Sequence, residues 1–172
     1  AVSSSDLYAG GNFTAAGGVA ANRIAKWDGS SWSALSSGMG GASYTYVSAL
    51  AVSGSDLYAG GWFTTAGDAT ANYVAKWNGS SWSTLGAGMD SYVYALAVSG
   101  SDLYVGGSFT AAGDVTANYV ARWNGSSWSA LGSGIGGDFP SVSALVVSGS
   151  DLYAGGSFTA AGGVAATNIA KW

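Results

Sequence analysis

The acid–base inventory of this chain is short. It carries nine aspartates and five lysines or arginines, with no glutamate, histidine or cysteine. A thiol nucleophile, an imidazole base, a disulfide framework and a zinc site are therefore excluded. Carboxylates alone remain for proton transfer, and their spacing marks no two-carboxylate site, so the chain reads as non-enzymatic. Most of its charges recur. Asp6, Asp56, Asp102 and Asp151 each open one predicted strand, and Lys26, Lys76, Arg122 and Lys171 each sit near the end of its neighbour. This placement predicts one cross-strand ion pair per repeat, structural in role and worth about 0–1 kcal/mol if exposed. A ring of identical catalytic pairs is set aside, because active sites are seldom repeated.

Residues that escape the repetition are better candidates for binding. Trp62 stands where the other copies have Asn12, Ser108 and Ser157. Tyr44, Tyr46, Tyr92, Tyr94 and Phe139 populate connections that differ between copies or the strand starts beside them, and Asp68, Asp90, Asp114 and Asp138 fall on the same predicted face. The candidate ligand face is thus Trp62, Asp68, Asp90, Tyr92, Asp114, Asp138 and Phe139. Aromatic rings beside carboxylates can stack on sugar rings and accept their hydroxyl protons; they can also contact a protein or simply pack the loops. No dense Asp-x-Asp spacing suggests calcium, and no cofactor is expected. Asn12, Asn78 and Asn124 open N-x-Ser/Thr sequons, although turn chemistry already accounts for the last two.

The elements that position these residues follow from one motif. Asp-Leu-Tyr-x-Gly-Gly-x-Phe-Thr begins at Asp6, Asp56, Asp102 and Asp151, and each copy runs on to a tryptophan at Trp27, Trp77, Trp123 or Trp172. The motif tyrosines lie 50, 46 and 49 residues apart, a period that signals a repeat architecture. One domain over 1–172 then divides into units 1–46, 47–92, 93–140 and 141–172. In the second unit, alternating apolar residues predict strand a over 47–53, and after the turn cluster at 53–56 strand b is expected over 57–61. A loop is expected over 62–71, strand c over 72–77 and strand d over 80–85. Asn78-Gly79 reads as a two-residue type I′ hairpin turn between c and d. The tryptophans flanking it, such as Trp77 and Trp82, can pack across it. Phe13, Phe63, Phe109 and Phe158 are expected to plug the b–c segment. The paired glycines allow close backbone approach; no helix follows them, so a phosphate cradle is set aside. Four antiparallel strands per unit at this period predict an all-β propeller of about 3.7 blades, the last lacking its outer strand.

Antiparallel order puts the a–b and c–d turns on one side and the b–c and d–a connections on the other. All length variation falls in the d–a connections, 40–46, 90–92 and 136–140. That side is therefore the expected binding side. A net charge of −4 offers no basic footprint for nucleic acid, and no apolar run is long enough to span a membrane. The first residue, Ala1, suggests a processed or excised chain.

The motifs resemble kelch-type propeller repeats. Tyr58, Gly60-Gly61, Trp77, Trp82 and Met89 match that pattern over the whole chain. The Gly-Gly-x-Phe-Thr and Ala-Lys-Trp-x-Gly-Ser-Ser-Trp wording is closer still to repeats of the fungal cortical cell-polarity marker family and of bacterial cell-surface proteins. The resemblance implies a binding or scaffolding role and an extracellular or cell-surface location. The copper chemistry of related galactose oxidases needs His and Cys and does not carry over. A departure is the short c–d hairpin. Trp27-Asp28 mimics a WD dipeptide once, but no Gly-His signature accompanies it.

About fifteen strands are present where four blades need sixteen. Three arrangements fit: two chains sharing a roughly eight-bladed ring as a homodimer, a piece of a longer array, or a single four-bladed ring. An unpaired strand edge invites association. The leading functional expectation is a binding or scaffold module that self-assembles through its open blade edges, with a protein or glycan as possible ligand. Alternatives are a purely structural self-assembling repeat, natural or engineered, and a carbohydrate-binding surface protein. Units two and three differ at only eight of 39 positions over 51–89 and 97–135, which suggests recent amplification.

Overall fold

The computed structural model describes residues 1–3 and 5–172. It is all-β, without helix among the described residues. In unit 2 the strands are a (Tyr46–Ser53), b (Asp56–Trp62), c (Val74–Trp77) and d (Trp82–Thr84). They hydrogen-bond in the order d-c-b-a, every neighbour antiparallel. Units 1 and 3 repeat the four-stranded sheet, and unit 4 forms a three-stranded one from Ser141–Ser148, Asp151–Ser157 and Ile169–Lys171. Valine, leucine and tyrosine alternating with small residues explain the strand choice. Strand a carries a bulge opposite the paired glycines, between Val47 and Ala49 in unit 2.

Two sequence expectations need correction. The 62–71 segment is not a plain loop. Its central part is a hairpin, Thr65–Ala66 against Ala69–Thr70, that also pairs with Met39–Gly40 of the preceding unit. The c–d turn is not a two-residue type I′ turn either. Trp77 pairs with Trp82, so four residues span the turn, and only Gly79 takes a positive φ (98°). Asn78 acts instead through its side chain: its Oδ1 accepts the Ser80 and Ser81 amides at 3.0 and 2.9 Å. Asn and Asp favour such turns because a short side chain reaches its own backbone two residues on.

The sheets succeed one another face to face. Strands a of units 2, 3 and 4 pack in sequence, and strand b of unit 1 packs on strand a of unit 2. Each sheet has an outgoing face toward the next unit and an incoming face toward the previous one. In unit 2 the outgoing face carries Tyr58, Gly60, Val74 and Lys76, and the incoming face carries Leu57, Ala59, Ala75 and Trp77. Core clusters form at the junctions. Ile24 and Leu35 of unit 1 close on Leu57, Ala59 and Trp82 of unit 2. Val74 and Leu85 of unit 2 close on Leu103, Val105 and Trp128 of unit 3. The described row is open at both ends: Leu7, on the incoming face of unit 1, is 40% exposed, and Ile169, on the outgoing face of unit 4, is 67% exposed.

Candidate functional site

Each junction is held by a repeated set of interlocks. A Cβ added at Gly10 or Gly106 would lie 2.5 Å from Cγ1 of Val47 or Val142, and one at Gly60 would overlap Val93 in the same way. Glycine is therefore the socket that receives the next unit's valine. The Trp82 indole donates to the Leu35 carbonyl at 3.0 Å, and Trp128 to the Leu85 carbonyl at 2.8 Å. The amides of Gly67, Gly113 and Gly162 reach back to the carbonyls of Gly38, Gly88 and Gly134 at 2.7–2.8 Å. Within each of the first three units, the Nδ2 of Asn22, Asn72 or Asn118 ties strand c to the segment after strand d by donating to Ser37, Ala87 or Ser133 carbonyls. None of the indole or asparagine bonds was legible from residue type, since the donors recur with the repeat but their backbone carbonyl acceptors carry no mark in sequence.

The recurrent charges lie on the outgoing faces. Lys26–Asp6, Lys76–Asp56, Arg122–Asp102 and Lys171–Asp151 approach to 2.8, 3.1, 2.9 and 3.1 Å. The cations stand two positions along the ladder from the acids, Lys76 opposite Tyr58. Donating a side-chain hydrogen bond to the Asp6 carboxylate raises the Lys26 ammonium above its ordinary value, and donation to Asp151 does the same for Lys171. Beside the first pair a groove of about 560 Å³ opens on the short-turn side, lined by Asp6, Tyr8, Lys26, Ser33 and Trp77 among others. A smaller cleft of about 240 Å³ repeats it between units 3 and 4, with Tyr104, Arg122 and Ser129. Sequence reasoning favoured the opposite side and missed these grooves.

On the long-connection side, the structure brings together part of the candidate face. Trp62 and Tyr92, far apart within unit 2, meet at 4.3 Å between ring centroids with their planes tilted by 44°. Tyr46, opposite Trp62 in the ladder, meets it edge-on at 6.1 Å, and Tyr44 covers it at 6.3 Å. Tyr73 and Tyr94 flank Tyr92 at 5.8 and 6.5 Å. Burial, with Tyr94 and Tyr92 nearby, pushes the Tyr46 hydroxyl above its usual value. Tyr44 is the outward member of the patch, 73% exposed.

The aspartates do not join it. Asp68 and Asp114 sit exposed at the tips of separate hairpins. Asp90 is engaged in a junction: its Oδ1 accepts the Thr110 and Ala111 amides at 2.8 and 3.0 Å, and its Oδ2 accepts Thr110 Oγ1 at 2.7 Å. Burial pulls this carboxyl up, but those bonds outweigh it and leave it below the ordinary 3.8. Asp138 borders a cleft of about 230 Å³ with Ser157, Thr159 and Asn168, and Phe139 is 97% exposed. No group of three or more metal-ligating side chains forms among the described residues.

A further residue missed by sequence reasoning is Arg23. It donates from Nε to the Thr45 carbonyl at 2.6 Å and from Nη1 to the Phe13 carbonyl at 2.8 Å, tying the b–c segment of unit 1 to the connection that leads into unit 2. Its backbone is left-handed (φ 67°), as are Tyr73, Tyr119 and Asn168 at the equivalent positions. The signal was present: Arg23 is the one cation outside the repeated set. No protein-family model matches the chain, and no curated protein matches it either.

Proposed function

We propose that this chain is a non-enzymatic, kelch-like β-propeller module at the cell surface or outside the cell, whose work is association. One observation carries the reading: the terminal sheets expose apolar side chains whose counterparts inside the row are buried. Ile169 is 67% exposed where Ile24, Val74 and Val120 are fully buried, and Leu7 is 40% exposed where Leu57 and Leu103 are 1%. Uncovered apolar sheet surface of this kind marks an interaction site. The four sheets act as blades, and a second copy of the chain extends or closes the ring, as a homodimer. Sedimentation equilibrium tests this: the mass should rise above the 16.9 kDa of one chain as concentration increases, and a constant single-chain mass would remove the self-assembly reading.

The aromatic patch favours a second reading, carbohydrate binding. Tyr44 presents an outward ring above Trp62, the residue that departs from the repeat. Ring stacking on a sugar would change tryptophan fluorescence and disappear in Trp62→Ala. A flat glycan array with unchanged fluorescence would leave a purely structural self-assembling repeat.

A further inference from the structure

We propose that copies of this chain associate head to tail, the outgoing face of unit 4 in one protomer docking flat on the incoming face of unit 1 in the next. This rests on the self-assembly reading above and specifies its surface: sheet faces, not strand edges. The junction inside the chain between units 1 and 2 is the template. There, the outgoing face offers Tyr8, Gly10, Ile24 and Lys26, and the incoming face offers Val52, Leu57, Trp77 and Trp82. Unit 4 ends the described row with Tyr153, Gly155, Ile169 and Lys171 on its outgoing face, the same four residue types in the same register. Unit 1 opens the row with Val2, Leu7, Trp27 and Trp32 on its incoming face, again the same types as in unit 2.

The exposure pattern follows this division. The exposed large apolar residues on the main sheets are Val2 and Leu7 at one end, and Val146 and Ile169 at the other. Val2 pairs with Leu7 on the incoming face; Val146 pairs with Tyr153 on the outgoing face. Ala51 and Ala97, the counterparts of Val146, are half-buried and buried. The socket at Gly155 is likewise open: a Cβ there would meet only the Asn168 carbonyl oxygen at 3.8 Å and the Ala144 Cβ at 3.9 Å, both of its own unit. The two end surfaces are therefore different from each other and complementary. A contact between unlike patches is heterologous, and it closes into a ring or runs on as a filament.

Two substitutions on exposed positions test this without touching the core, Leu7→Asp and Ile169→Asp. The wild-type chain should exceed single-chain mass, and each variant alone should stay monomeric, its association weakened by more than about tenfold, as expected from placing a charge where a leucine or isoleucine is buried. Mixed together, the two variants should recover one junction and form a 1:1 heterodimer that does not grow further. Circular dichroism and thermal unfolding check that both variants keep the fold. Wild-type assembly that survives both substitutions would overturn face docking while leaving self-assembly intact, and point to the unpaired edge of Ile169–Lys171. Assembly that both variants abolish but their mixture fails to restore would overturn the head-to-tail arrangement in favour of a symmetric contact. A wild-type chain that remains monomeric would overturn both readings.

Discussion

At Asp28 the repeat changes one atom in a turn and thereby makes it pH-sensitive. Units 2 and 3 close the c–d turn with Asn78 and Asn124, while unit 1 uses the carboxylate of Asp28 to accept the Ser30 and Ser31 amides at 2.8 Å. Hydrogen bonds from the Ser30 side chain and from the Ser30 and Ser31 amides hold this carboxyl well below its ordinary 3.8. A folded-state pKa depressed in this way contributes stability above the unfolded value, and that contribution is lost as pH falls below it. Asp28→Asn should therefore match the wild type at neutral pH and lose less stability between about pH 4 and pH 2. Chemical denaturation at a series of pH values reads the difference; identical acid slopes would contradict it. The glycine sockets give a second contrast at this scale. Gly60→Ala forces a methyl against Val93 and should destabilise by about 1–3 kcal/mol. Gly155→Ala meets nothing closer than 3.8 Å and should be near neutral in the dilute monomer.

Among the elements, strand a was legible because its apolar residues alternate with period two along 47–53, and the short strands c and d because the repeated Trp-x-Gly-Ser-Ser-Trp turn marks the ends where they meet. The hairpin inside 62–71 was not, because strands of two residues, such as Thr65–Ala66, have no period to read. Its third strand, Met39–Gly40, comes from another unit. The candidate site was legible in part for a similar reason. Trp62 stood out by breaking the repeat, and Tyr92 does meet it. Asp90 looked like a free acid on a short connection, but the backbone amides that hold it, from Thr110 and Ala111, carry no mark in sequence. The indole interlocks make the same point testable. Trp82→Phe deletes the donor to the Leu35 carbonyl, which keeps the Gly38 amide at 3.2 Å. The loss should be modest, about 0.5–1.5 kcal/mol. Trp32→Phe should cost less, since Trp32 makes no such bond among the described residues. Thermal unfolding of the two variants side by side gives the comparison, and an equal loss would show that the indole bond adds nothing.

Over the whole molecule, stability is a sum of junctions. Each inner sheet contributes one face to the junction before it and another to the junction after it, so the core of the described residues is a series of clusters between neighbours. That construction explains both its tolerance of near-identical repeats and its exposed ends. A sheet face is covered by another sheet, and on the proposed reading a second copy of the chain covers the outer faces of units 1 and 4. Small-angle X-ray scattering over a concentration series reads out whether those faces associate. Forward scattering should climb from that of a 16.9 kDa particle toward at least twice that mass, and Leu7→Asp should abolish the climb. Scattering that stays at one chain's mass up to the solubility limit, with wild type and variant superimposable, would contradict it.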